Sequence, residues 1–188
     1  MNALIRTMSM MEDNDSYPTH CQIGAEVLRK EARQVRDFDA GLHDLLDDML
    51  DTMLDGQGIG LAAPQVDVSQ QVLIVRLPDD EEAREYFGDE AGVLYEAVNP
   101  KIIRVSPGMV DGVEGCLSIP GYLGTVTRHQ SVIVRAQDRS GVEIRIRTRG
   151  WLARVFQHEI DHLHGVLFVD RTKEVWLVDG ARSKAANV

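Results

Sequence analysis

Several things are scarce in this sequence. Cys21 and Cys116 are the only two cysteines in 188 residues. They lie far apart in a chain with no sign of secretion, which argues against a structural disulfide and leaves each available as a ligand or nucleophile. No apolar run approaches the ~20 residues of a membrane-spanning helix; the longest, residues 72–75 and 166–169, are strand-sized. The first fifteen residues have neither the apolar core of a secretory leader nor the Arg-rich, acid-poor make-up of a transit peptide, so a cytoplasmic protein is expected, with no membrane partner. Positive charge is short as well. Twenty Lys and Arg stand against thirty Asp and Glu, a formal net charge of -10, which argues against a nucleic-acid-binding surface because such a surface needs clustered cations to displace counterions. There is no internal repeat and no low-complexity tract.

What is present suits one soluble domain with a substantial core: 44% hydrophobic and 27% charged residues. Residues 1–20 are polar, aperiodic and include Pro18, and read as a flexible lead-in. The folded domain is expected over residues 21–172, followed by a short tail, 173–188. Leu42, Leu45, Leu46, Met49, Leu50, Met53 and Leu54 repeat at helical spacing, with Asp39 placed to cap the start and Gly56 to take the C′ position. Seven aspartates between positions 37 and 55 give this helix an acidic outer face.

Beyond it, three glycines in five positions, Gly56, Gly58 and Gly60, would let another backbone come close. Strands are expected at 71–77 and at 93–105 with an interruption at Asn99-Pro100, separated by an acidic excursion over 78–92. Turn signals fill 106–112. Residues 131–136 and 142–147 read as a hairpin, and 166–169 as a strand. Strands on both sides of a buried helix indicate an α+β fold, with antiparallel sheets packed around that helix.

That helix runs from Gly150 to Gly165 and carries Gln157-His158-Glu159-Ile160-Asp161-His162. At 3.6 residues per turn, His158 and His162 project from nearly one face, so two imidazoles can hold one metal ion. Glu159 lies about 100° round from His158, a carboxylate near enough to take a proton from water at the metal. The same residues could also sit on a solvated helix face. Catalytic sites of this kind take three protein ligands. The metzincin completion needs histidine at 168, which is Phe168, and the thermolysin-like completion needs a glutamate about twenty residues past His162, where none stands. Cys116 remains a candidate, with Gly115 before it and Pro120 beyond.

Three segments in this order, Gly58-Ile59-Gly60-Leu61-Ala62-Ala63-Pro64-Gln65, Glu114-Gly115-Cys116-Leu117-Ser118 and Gln157-His158-Glu159-Ile160-Asp161-His162, resemble the three motifs of the peptide deformylase family. The likeness extends from about Ile23 to about Asp170. It implies that Cys116, His158 and His162 bind one divalent metal ion, natively Fe(II), although two imidazoles and a thiolate also accept Zn(II), Ni(II) or Co(II). It implies Glu159 as general base and then general acid, the Gln65 amide and the Leu117 N–H as oxyanion donors, and an ion pair between Glu114 and Arg128. The implied reaction removes the formyl group from the N-terminal methionine of newly made polypeptides and releases formate.

In that setting the substrate backbone would dock in extended form against Gly58, Ile59, Gly60 and Gly115. Trp151, Arg154 and Val155 share the His158 face and would line the methionine pocket, Arg154 by its aliphatic stem. Asp161 could orient a ligand imidazole. His20, His43, His129 and His164 receive no role. The expected partners are N-formylmethionyl nascent peptides, with transient ribosome association. The long basic C-terminal helix that some deformylases use for docking has no counterpart in residues 175–188, where Arg182 and Lys184 are the only cations. Two other readings stand beside this one: a zinc-dependent endopeptidase, and a non-catalytic binding module with a structural metal.

Overall fold

A computed structural model describes residues 21–172 and 174–178 and the backbone of residues 183 and 184. The expected lead-in, His20 and most of the expected tail lie outside the described residues. The architecture is α+β: two antiparallel sheets enclose one buried helix. The first sheet has five strands, in the order β1 (Gly60–Ala62), β2 (Val72–Arg76), β3 (Leu94–Val105), β6 (Ser131–Gln137), β7 (Glu143–Arg149). The second has the order β4 (Met109–Cys116), β5 (Ile119–His129), β8 (Glu174–Leu177), β9 (Ser183–Lys184). Among the described residues no helix is long and apolar enough to cross a membrane.

Helix α1 (Ala40–Asp55) starts where expected: the Asp39 side chain accepts from the Leu42 N–H at 3.2 Å. Its buried face is Leu42, Leu46, Met49 and Met53. It ends one residue later than expected. Gly56 is the last half-helical residue at φ −77°, and the left-handed position falls on Gln57 at φ 53°. The reason lies in the closing bonds, Gln57 N–H to Leu54 O and Gly58 N–H to Met53 O, a Schellman pair that sets Gln57 at C′.

The acidic excursion forms helix α2 (Glu81–Phe87), capped by the Asp80 carboxylate on the Ala83 N–H. Asn99-Pro100 does not break β3. It makes a bulge, with Asn99 at φ 51° and its side chain bonded to Val35 and Gln137. Past the turn signals of 106–112, of which residues 109–112 are already strand, the chain forms the long β4–β5 hairpin with a two-residue turn at Leu117-Ser118. Gly112, which signalled a turn, is a site of close packing instead, where a Cβ would overlap the Arg154 guanidinium; a Cβ at Gly124 in β5 would likewise meet Thr172 and Phe168.

Helix α3 (Gly150–Leu163) follows β7 directly, with Gly150 at φ 57° making the turn. Gly165 at φ 71° closes it as expected, through its N–H to His162 O. The apolar run that follows is not a strand. Leu167 and Phe168 are buried with Leu28, Ile119 and Val126 in a third core cluster, and Phe168–Asp170 is a 3-10 turn. Residues 174–177, expected in the tail, pair as β8 with β5.

Every residue of α3 from Leu152 to Leu163 is buried. On one side it packs against Leu73, Val75, Val132, Val134 and Ile146 of the first sheet. α1 covers the opposite face of that sheet, but only against Val72, Ile74, Val98 and neighbours near β1 and β2. Burial of the polar half of α3 is the anomaly that locates the site.

Candidate metal centre

Three separate pieces of chain meet at the middle of α3. β4 ends at Cys116, and the hairpin turn carries Leu117 and Ser118. The 3-10 turn after β1 carries Gln65. α3 itself supplies His158, Glu159 and His162. One ligand atom each from Cys116, His158 and His162 lies within 4.8 Å of the others, and Cys116 Sγ is 3.2 Å from His162 Nε2. A tetrahedral ion with bonds of about 2.3 Å to sulfur and 2.0–2.1 Å to nitrogen holds such atoms roughly 3.5 Å apart. The spacing and the donor types both fit one late divalent ion, so the three residues form a possible site for a single metal.

Behind the ligands stands a buried ionic network. The Glu114 carboxylate accepts two bonds from Arg128 at 2.9 Å, one from Arg154 at 2.7 Å, and contacts His158 Nδ1 at 2.9 Å. Its contact with Nδ1 directs the Nε2 lone pair toward Cys116, where it can ligate a metal. Burial pushes the Glu114 carboxyl up, but the His158 and Arg128 hydrogen bonds outweigh it and hold the group well below the usual carboxylate range. Burial likewise works against a charged His158, yet its bonds to Cys116 and Glu114 raise its pKa. Burial and then the His158 charge depress His162. His162 Nδ1 is buried without a hydrogen-bond partner.

Asp161 does not orient a ligand imidazole. It faces away from the metal donors and pairs with Arg128 and with Arg171 at 2.5 Å. Glu114 takes the orienting role instead, because the hairpin brings its carboxylate under His158. Arg154 does more than pack its stem. Its guanidinium bonds Glu114 and the carbonyls of Val110 and Val126, each at 2.7 Å, while glycine at 112 leaves room for it. In the sequence Arg154 was legible only as a polar residue on a face that should have been apolar. Arg171 carried no signal at all in the sequence.

Glu159 is fully buried, and that burial pushes its carboxyl up to about 7, with the His158 charge opposing the rise. Its Oε2 has no hydrogen-bond partner. Gln65 is 2% exposed; its Oε1 accepts from the Ala62 N–H at 2.9 Å, which turns its amide N–H₂ toward Ser118 Oγ at 3.3 Å and Cys116 Sγ at 3.5 Å. One pocket joins these groups. Gly58, Ile59, Gly60, Gln65, Gly115, Cys116, Leu117, Trp151, Arg154, Val155, His158 and Glu159 all line it, together with Tyr122, Leu123 and Val178, which the sequence reading did not single out. His162 lies behind it, and Arg128 is held in the network below. His43 and His129 bond backbone carbonyls of Arg139 and Ser106, and His164 lies 3.7 Å from Glu31, away from the site.

This chemistry has counterparts. The family model for polypeptide deformylase matches residues 19–176. A peptide deformylase of Symbiobacterium thermophilum is 46% identical over 166 residues, which is 87% of this chain and 71% of that protein. One of Caldicellulosiruptor bescii is 49% identical over 146 residues, 78% of this chain and 80% of that protein. The crystal structure of a Synechococcus elongatus peptide deformylase in complex with actinonin superposes with a TM-score of 0.74 at 40% identity, covering 85% of this chain and 83% of that one. With the family model matching residues 19–176 and relatives 46–49% identical over most of this chain, the chain belongs to the polypeptide deformylase family.

Proposed function

We propose that this chain hydrolyses the N-formyl group from the N-terminal methionine of newly made polypeptides, releasing formate, and that it does so in the cytoplasm. The observation that carries this is the convergence of a buried, proton-holding Glu159 and the Gln65 amide on the Cys116–His158–His162 donors at the floor of one pocket. When bound, a divalent ion at those donors supplies an activated water and polarises the formyl carbonyl. We take the native ion to be Fe(II), with Zn(II), Ni(II) or Co(II) accepted by the same donors.

The chain's own residues do the rest. Glu159 takes the proton from the attacking water and returns it to the leaving amine, a task suited to a carboxyl whose pKa lies near 7. The Gln65 side-chain N–H₂, locked by Ala62 and Ser118, and the Leu117 N–H on the hairpin turn stabilise the oxyanion. Glu114, held by Arg128 and Arg154, fixes the His158 ring. The pocket wall from Ile59 to Val155 and Trp151 takes the methionine side chain, and Gly115 lets the peptide lie close. β1 pairs with β2 on one side, so its other edge can accept the substrate as an added strand at Ile59 and Gly60. Transient association with the ribosome belongs to this reading.

The test is formate release from a short formyl-methionyl peptide by anaerobically purified protein, beside its acetylated analogue, an unformylated peptide and the Glu159→Ala variant. Release that requires metal, spares the acetyl peptide and vanishes in the variant is the expected result. Cleavage of internal bonds in the unformylated peptide would replace it with an endopeptidase, and folded, metal-loaded protein with no turnover would point to a binding module.

A further inference from the structure

The net charge of -10 conceals how folding sorts the charges. In β6, Val132, Val134 and Ala136 are buried against α3, so Ile133 and Arg135 face the other way. In β7 the same alternation buries Ile146 and Thr148 and turns Arg145, Arg147 and Arg149 outward. The register sets Lys101, Arg135 and Arg145 in one cross-strand row, Arg104, Ile133 and Arg147 in the next, and Arg149 opposite Ser131 beyond them. Six exposed cations therefore stand on one face, with strands about 5 Å apart and rows about 7 Å apart. On this face Arg145 pairs with Glu143 at 3.9 Å, and at the edge covered by α1 Glu96 of β3 pairs with Arg139.

Like charges directly opposite each other weaken a sheet, so this arrangement is not explained by folding. α1 covers the same side of the sheet over β1 and β2 and adds its acidic outer face as a border, marked by the Asp47–Arg139 pair. No residue of β3, β6 or β7 lines the pocket, so an occupant of the basic face leaves the metal centre open.

We propose that this outward face of β3, β6 and β7 docks the phosphate backbone of double-stranded RNA. Repeated anionic groups match the rows, and five of the six cations are arginines, whose planar fork suits phosphate oxygens. The outward side chains beyond Glu96 at the α1 border, Lys101, Arg104, Ser131, Ile133, Arg135, Gln137, Glu143, Arg145, Arg147 and Arg149, with the exposed Ile103 at the β3 bulge, include no aromatic. A single-strand site needs aromatic stacking platforms, and a membrane-docking face needs more apolar surface than Ile103 and Ile133, so a duplex recognised by its backbone fits best. The choice of RNA rests on the reading that the substrates are chains still being made, where RNA is the surrounding polyanion.

The test uses the full chain and a fluorescently labelled RNA duplex, titrated by anisotropy between 50 and 200 mM salt (~10³–10⁵-fold loss for a site with 6–10 phosphate contacts). One variant reverses charge, Arg135→Glu with Arg145→Glu and Arg147→Glu; a milder one removes it, Arg145→Gln with Arg147→Gln. The expected result is salt-sensitive binding that falls at least tenfold in the milder variant and is lost in the other. The slope of log affinity on log salt should flatten by about 1 per arginine removed, while formate release from a short peptide stays unchanged and the thermal melt holds or rises as the cross-strand repulsion is relieved. Absence of binding at 50 mM salt, binding that both variants retain, or tighter capture by a DNA duplex, by polyglutamate or by phosphatidylserine vesicles would overturn it. Failure of formate release alone would strike the enzymatic reading and leave the measured RNA contact standing.

Discussion

Gly60 and Glu159 share one place: a Cβ on Gly60 would overlap Glu159 Oε1 and lie 2.7 Å from Val155 Cγ1. The glycines of this segment were expected to admit a neighbouring backbone, and what they admit is the carboxylate proposed as the acid and base. A methyl group there must push Glu159 out of position. Gly60→Ala should keep the fold by circular dichroism and lose at least tenfold in kcat, within the ~10²–10⁴ that a positioned acid–base contributes. Unchanged kcat would show that Glu159 moves freely without consequence.

Gln65 should act on the transition state more than on binding. Gln65→Leu removes an amide donor from a pocket of similar shape, and loss of such a donor costs about 10²–10³ in kcat. Ser118→Ala leaves Ala62 to hold Gln65 and should cost less. Steady-state kinetics separates the two outcomes, and a change confined to KM in the leucine variant would assign Gln65 to substrate binding instead.

Arg154 ties α3 to the β4–β5 hairpin through Glu114 and two carbonyls. Arg154→Met strips one partner from a buried charge and should cost about 3–5 kcal/mol in denaturant unfolding of the metal-free protein. Because Glu114 orients His158, metal affinity should fall as well, by about 10–100-fold in a chelator competition. Arg154→Lys should restore little, since one ammonium cannot span three acceptors.

Glu159 gives the metal-free protein a pH signature. Burial raises its carboxyl from an ordinary value near 4.5 to about 7. A carboxyl raised on folding contributes stability that is complete below pH 4.5 and is lost as pH rises through about 7, because the buried charge must then form. At 1.36 kcal/mol per pH unit the loss amounts to about 3 kcal/mol. Urea unfolding at pH 5 and pH 8 should show that difference between wild type and Glu159→Gln, which has no such charge to bury. Parallel pH dependences in the two proteins would place the carboxyl in a wetter setting than its burial indicates.

Much of this was legible in the chain. Helical spacing located α1 and α3, alternation located β2, β3 and the β6–β7 hairpin, and the histidine spacing placed two donors on one face, since all of these depend on contacts within a few residues. The β4–β5 hairpin escaped detection because Asp111-Gly112 read as a turn and glycines at 115, 121 and 124 interrupt the alternation, while Gly112 and Gly124 answer to Arg154 and Phe168, which are distant in sequence. Val166 to Val169 read as a strand because local pattern cannot say that no neighbouring strand is there to pair.

By itself the sequence determined the local elements, the three motifs and the chemical types of the donors. The tertiary structure alone decided that Cys116 reaches His162, that Glu114 rather than Asp161 stands under His158, that burial lifts Glu159, and that scattered arginines in an acidic chain form one basic face. Each of these depends on register between segments dozens of residues apart, and long-range register follows from how whole faces are buried, which no local spacing records.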